Sequence, residues 1–280
     1  MKPIQGYQSW RLLESNSEFL SKIKIAETSN NPDRLEELSL DSDYWIRSRV
    51  ASNPYTPAEA LIRLSKDEYL HVKATVAGNP SSPAKIIDQL ASSGMLDLRL
   101  RAAGNPNCPP AVLKRLSKDG YSHVREAIAG NPNCPPDILD RLSLDEDQAI
   151  RQAVSNNLNS FPSTLDRLSR DESRSVLNSV SRNPNCSPET LTRLSRDRDV
   201  WIRVQVARNP NTSIETLAAL RRDRDYRVMD AADNSLAKIK DARPELVDRI
   251  QELEDLGELG IRGDADLTDL EGLDLSGLDI

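Results

Sequence analysis

Three cysteines, two histidines and a few acid clusters are the side chains of this 280-residue sequence that could support metal or nucleophilic chemistry. Cys108, Cys134 and Cys186 all fall in one 26-residue column, where other copies carry Thr56, Ser82, Ser160 and Thr212. A metal needs ligands converging to about 2.0–2.3 Å of one centre. Equivalent positions in stacked helical layers stand on the order of 8–10 Å apart per layer, so these thiols read as small capping or core residues. His71 and His123 also share a column, two copies apart, and cannot meet at one ion. Asp145-Glu146-Asp147 sits where a solvated turn is expected, and no Gly-rich phosphate loop is present. The expectation is a chain that is not an enzyme and uses neither metal nor cofactor.

Two basic columns and one variable row remain. Arg47, Lys73, Arg99, Arg125, Arg151 and Arg203 form the first column, interrupted by Leu177, and an acid often precedes by six residues (Asp41, Asp67, Asp119, Asp145, Asp197). That spacing predicts structural pairing between layers, with Asp171 and Asp223 left over where Leu177 and Met229 replace the base. The second column is Arg63, Arg115, Arg141, Arg167 and Arg193, with no acid at a fixed offset. It is a candidate stripe for an acidic protein segment or nucleic acid. The variable row reads Phe19, Trp45, His71, Asp97, His123, Ala149, Ser175, Trp201 and Arg227, with Tyr44, Tyr69, Tyr121 and Tyr226 nearby. A core position would stay apolar, so this row is expected to face water, and aromatics beside arginine suit binding hot spots. Trp45, Tyr69, His71, Tyr121, His123, Trp201 and Tyr226, with the second arginine column, are the candidate partner-binding residues. Against them stands the reading that the tryptophans only cover gaps between loops.

These columns exist because the chain is a repeat. Leu38, Leu64, Leu90, Leu116, Leu142, Leu168, Leu194 and Leu220 are spaced by 26 residues, and aliphatic columns at Leu35 and Leu20 keep the same phase. The frame starts copies at 20, 46, 72, 98, 124, 150, 176 and 202, with a partial ninth at 228. Each copy reads as two short helices. Thr56-Pro57, Ser82-Pro83 and Ser187-Pro188 predict the N-cap and first residue of the second helix. Gly78, Gly104 and Gly130, followed by Asn-Pro, predict a left-handed C-cap for the first. The column Asn53, Asn79, Asn105, Asn131, Asn157, Asn183 and Asn209 is read as turn chemistry, with a ligand-binding polar strip as the alternative. Neither helix can bury its apolar face alone, so the copies must stack as an all-α solenoid with terminal caps.

Copies such as VREAIAGNPNCPPDILDRLSLDED (124–147) and IRVQVARNPNTSIETLAALRRD (202–223) resemble the leucine-rich repeat variant family, over about 20–235. The resemblance implies α-helices alternating with a second short α- or 3₁₀-helix in a right-handed superhelix without β-sheet. Some members carry an amino-terminal iron–sulfur cluster; no Cys precedes Cys108 here, so that feature does not carry over.

Composition agrees with thin layers. Aromatics are 4% of the chain against 38% hydrophobic residues, and 17 prolines outnumber 11 glycines. No apolar run approaches the roughly 18–20 residues of a membrane span, the amino end is too polar for a secretory core, and three cysteines fit a reducing cytosol. The net charge of −7 is uneven: residues 173–227 carry eleven arginines against six acids, and 236–280 carry five basic against thirteen acidic residues. The expected domains are an amino-terminal cap (1–19), the solenoid (20–235), a capping helix (236–257) and an acidic Leu/Gly/Asp tail (258–280). The capping helix is read from Pro244, Leu246, Ile250, Leu253 and Leu256, and the tail is expected to contact the basic 173–227 stretch. Function reads as a cytoplasmic protein-binding scaffold or adaptor whose partner is an unidentified protein. A nucleic-acid-binding solenoid is the first alternative, although residues 1–235 are nearly neutral. A non-catalytic helper of a cofactor-attachment enzyme is the second, on fold analogy alone.

Overall fold

Helix starts recur at 26-residue intervals because each copy repeats the same stop and start signals. In the computed structural model, which describes residues 17–258, nine mostly longer helices of 8–17 residues alternate with eight of 7–8 residues, and a further helix follows. The longer set is α1 (Ser17–Thr28), α3 (Tyr44–Ser52), α5 (Leu70–Gly78), α7 (Leu96–Gly104), α9 (Ser122–Ala129), α11 (Gln148–Asn156), α13 (Arg174–Arg182), α15 (Val200–Arg208) and α17 (Tyr226–Ala242). The shorter set is α2 (Pro32–Leu38), α4 (Ala58–Leu64), α6 (Ala84–Ala91), α8 (Pro110–Leu116), α10 (Pro136–Leu142), α12 (Pro162–Leu168), α14 (Pro188–Leu194) and α16 (Ile214–Leu220). A 3₁₀ turn at Pro244–Leu246 leads into α18 (Val247–Glu258). There is no strand among the described residues. The second element of each pair is therefore α-helical.

The chain divides into two compact units, Met1–Asn159 and Ser160–Ile280. Within the first, each longer helix packs on the next longer one, from α1 to α11; within the second, α13 packs on α15 and α15 on α17. Their contacts are the aliphatic columns: Ile46, Val72, Val124 and Ile150 are buried in one unit, Val176, Ile202 and Val228 in the other. Leu61, Leu113 and Leu139 are fully buried from the shorter helices. Burial of a Leu or Ile side chain is worth about 1.5–3 kcal/mol, and small Ala residues such as Ala51, Ala77 and Ala103 let the layers approach.

One stop signal and one start signal work differently from the sequence expectation. Gly78 and Gly104 are the last helical residues and Gly130 has φ −81°, so none adopts a left-handed cap. The helices end because the following Asn is extended, as at Asn79 with φ −71° and ψ 126°, and the next residue is usually proline. Likewise Thr56 and Ser82 are not N-caps. The caps are Pro57 and Pro83, while the Thr56 and Ser82 hydroxyls are buried and donate to the Val50 and Val76 carbonyls at 2.5 and 2.6 Å. Ser187 does cap its helix through the Thr190 N–H, but it lies one column later than Thr56.

The Asn column does more than shape a turn. Each buried amide bridges two layers: Asn105 Nδ2 donates to Ala77 O and Asn79 O, both at 2.8 Å, while its Oδ1 accepts the Asn107 N–H. Asn53, Asn79, Asn131 and Asn157 repeat this in the first unit, and Asn209 binds Ser181 O and Asn183 O in the second. A buried unpaired carbonyl costs about 1–3 kcal/mol, so only a donor pair of this shape suits the slot.

Candidate functional site

The first arginine column is a ladder, and its rungs run forward rather than within a copy. Arg47 donates from Nε and Nη2 to Asp67 at 2.6 and 3.1 Å, and from Nη1 to the Asp41 carbonyl. Arg99–Asp119, Arg125–Asp145 and Arg203–Asp223 repeat the two-pronged bond. Asp223 is therefore engaged by Arg203, and Asp171 also has a partner, contrary to the expectation that both are left over. Where Leu177 interrupts the column the orphan would be Asp197, and Arg174 takes it at 2.8 Å. Burial alone pushes the Asp67 carboxyl up, but the Arg47 hydrogen bond, the Tyr69 N–H and the Arg47 charge together hold it below its ordinary value; Asp119, Asp145 and Asp223 follow the same balance.

The second arginine column is also largely paired, with acids 27 residues back and serines 23 or 24 residues back. Arg63 meets Glu36 and Ser39, Arg115 meets Asp88 and Ser92, and Arg193 meets Asp166 and Ser169. Arg141 donates to Ser117, since the residue 27 back is Lys114. Arg167 is exposed. The fixed acid offset was present in the sequence and was missed because it spans a whole copy.

The aromatic row is exposed, as its variability indicated. Trp45 and Tyr69 are 40% and 43% accessible, Tyr121 and Trp201 57% and 53%, Tyr226 76%, and both histidines are exposed. Four of these rings meet across α3 and α5: Tyr44 stacks on Tyr69 at 4.5 Å, touches Trp45 at 5.2 Å, and Trp45 meets the edge of His71 at 6.0 Å. Arg47 and Arg99 lie over the Tyr69 and Tyr121 rings at 5.8 and 5.7 Å. His123 Nδ1 meets the hydroxyl of its neighbour Ser122 in a long 3.4 Å bond. In the second unit Arg227 covers Trp201 at 5.0 Å while gripping Asp225, whose carboxyl that hydrogen bond draws down to about 2.

Helix starts expose a feature of the row that residue type alone concealed. The N-cap residues of the longer helices from α3 to α17 are Asp43, Tyr69, Met95, Tyr121, Asp147, Ser173, Asp199 and Asp225. Each Asp accepts the backbone N–H two residues on, at 2.8–3.0 Å. Tyr69, Met95 and Tyr121 make no cap bond, and all three are exposed. Leu70 and Leu96, the next residues, are also exposed. Three consecutive layers thus replace a polar cap, worth typically ~1 kcal/mol, with a large apolar side chain in water. The rung between them is missing as well: Ser93 stands where the ladder has Asp, and it accepts the Met95 N–H at 3.2 Å.

Residues 97–158 match the family model described as the leucine rich repeat variant domain, and 200–225 match that of the leucine rich repeat variant. The repeats of these two segments fit the leucine-rich repeat variant pattern. The fold is similar to a solved leucine-rich repeat variant with a novel repetitive structural motif, at 23% identity and TM-score 0.52, over 73% of this chain and 82% of that one. An engineered protein aligns at 15% identity over 82% and 98% of the two chains, with TM-score 0.34. A computationally designed armadillo repeat protein for modular peptide recognition aligns at 14% identity over 82% and 98%, with TM-score 0.18. Neither of these two likenesses is close enough to carry weight. No curated protein matches the chain.

The cysteine column is buried, and burial pushes each thiol up to about 12. Such thiols are poor nucleophiles at neutral pH. Among the described residues no three His, Cys, Asp or Glu gather as a metal site, and no helix is long and apolar enough to cross a membrane.

Proposed function

We propose that this leucine-rich-repeat-variant solenoid is a non-enzymatic, protein-binding scaffold whose recognition surface in the first unit is the apolar ridge of Tyr69, Met95 and Tyr121, flanked by Trp45, His71, Leu70 and Leu96. The observation that carries this reading is the loss of three consecutive polar caps in favour of exposed apolar side chains. Stability alone favours Asp at those positions, as in the neighbouring layers, and an exposed apolar row of this kind suits an apolar partner segment. Aromatic side chains seated over arginines fit the composition of binding hot spots. The nucleic-acid alternative has less support, because the arginines it needs are mostly held by carboxylates. In this reading residues 20–235 carry the binding surface and 236–257 cap the carboxyl end; most of the expected amino-terminal cap, residues 1–16, lies outside the described residues. The compartment is taken as cytoplasmic.

The test uses the full chain panned against a displayed random-peptide library, with affinities of selected peptides measured calorimetrically. Changing Tyr69, Met95 and Tyr121 together to Ser is expected to weaken binding tenfold or more. Changing Trp201 and Tyr226 to Ser is expected to alter it less than twofold. No selected peptide, or equal losses in both variants, would discard the ridge as the site.

A further inference from the structure

The last layer of the second unit ends in an open groove of about 620 Å³ between the end of α15, the start of α16 and the extended α17. Its origin is a missing loop. In the layer before, Asn209 and Asn211 donate their side-chain amides to the carbonyls of Asn183 and Pro184. One period later the corresponding residues are Ser235 and Ala237. Ser235 donates to Ala207 O at 2.6 Å, Ala237 has no side-chain donor, and α17 runs on for 17 residues instead of stopping at Asn-Pro. The carbonyl-bearing turn at Asn209 and Pro210 therefore lines a vacated slot.

The slot has two further chemical qualities. Half-buried Ile214, Ile239 and Leu246 give it an apolar floor, and exposed Arg208, Lys238 and Arg243 give it a cationic rim. The side chains of these three cations have no ion pair or hydrogen bond among the described residues. Glu215, the one acid in the lining, faces Arg249 at 3.9 Å. The slot thus suits a segment that alternates acids with leucines.

The sequence after α18 is such a segment. Residues 259–280 lie outside the described residues; they hold six acids against one arginine, with leucines at 267, 270, 273, 275 and 278. The path also closes. Leu246 lines the slot immediately before α18, whose 12 residues span about 18 Å. Six residues are long enough to cover that distance at ~3.3 Å each, so the sequence from Asp264 onward is within reach of the slot. We infer that the acidic, leucine-bearing segment 264–279 docks in this groove of its own chain, in place of the ninth Asn-Pro loop. This inference is independent of the ridge in the first unit.

Zero-length carbodiimide cross-linking of the full chain, read by mass spectrometry, tests it. Lys238 is expected to couple to acids within 264–279 at least fivefold more often than exposed Lys85 or Lys118 does. Mixed heavy and light chains should yield no hybrid product. Arg208→Ala with Arg243→Ala should cut the yield several-fold, and so should Leu270→Ser, Leu273→Ser and Leu275→Ser at unchanged charge. Uniform coupling across the lysines, hybrid products from a second copy, or a yield insensitive to the leucine changes would each overturn the assignment.

Discussion

The N-terminal ends of α5, α7 and α9 in the first unit and those of α15 and α17 in the second are built on the same repeat, yet they use their N-cap position in opposite ways. Asp199 and Asp225 close their helices with a carboxylate on a backbone N–H. Tyr69, Met95 and Tyr121 leave that bond unmade and stand in water. The buried side of the same loops shows no such divergence: the Asn amides and the aliphatic columns continue through both units. Where packing decides, the repeat keeps its residue; where it does not, the residue is free to serve recognition, at a local cost in stability.

The comparison is broken most severely on the buried side. Asn105→Ala removes two bonds to buried carbonyls of the preceding layer and one to its own loop. Leaving those groups unpaired is expected to cost about 3–5 kcal/mol, measured by urea unfolding, and Asn209→Ala should behave alike in the second unit. Equal stability to the unaltered chain would show that the amide bridges contribute little.

The ladder is next. Asp119→Asn weakens a two-pronged bond to Arg99 in which the Asp119 and Arg99 side chains are 8% and 14% exposed, with an expected loss of about 2–4 kcal/mol. The pH dependence follows from the same carboxyls. Because Asp67, Asp119, Asp145 and Asp223 are held below their ordinary value when folded, their stabilisation is complete above the unfolded value near ~4 and drains away as pH falls through the lowered folded values. Thermal midpoints should therefore be flat from pH 7 to about 5 and fall below about 4, less steeply in Asp119→Asn. A midpoint that rises on acidification would contradict the ladder's role.

Much of this was legible in the sequence. The 26-residue phase of Leu64, Leu90 and Leu116 announced stacked helical pairs, and the variability of the Trp45–His71–Trp201 row announced exposure, because burial tolerates so little change. What periodicity could not supply was direction across layers. A column records that Arg47 follows Asp41 by six residues, but Arg47 binds the Asp67 carboxylate, since the next layer presents the side chain while its own copy presents only a carbonyl. The Arg63–Glu36 pairing was hidden for the same reason. Met95 escaped notice because its role depends on where α7 begins, and the glycines misled because extended Asn and proline already end the helices.

The smallest expected energy belongs to the central claim. Restoring caps with Tyr69→Asp, Met95→Asp and Tyr121→Asp, the residue found at Asp43, Asp147, Asp199 and Asp225, should add about 2 kcal/mol after the lost ring contacts are counted. That amounts to roughly 4–8 °C in the thermal midpoint. The decisive measurement is that midpoint at pH 7, taken beside the affinity for a selected peptide. A more stable chain that no longer binds is expected; a less stable chain, or a more stable one with its binding intact, would rule out the ridge as a recognition surface kept at the expense of its caps.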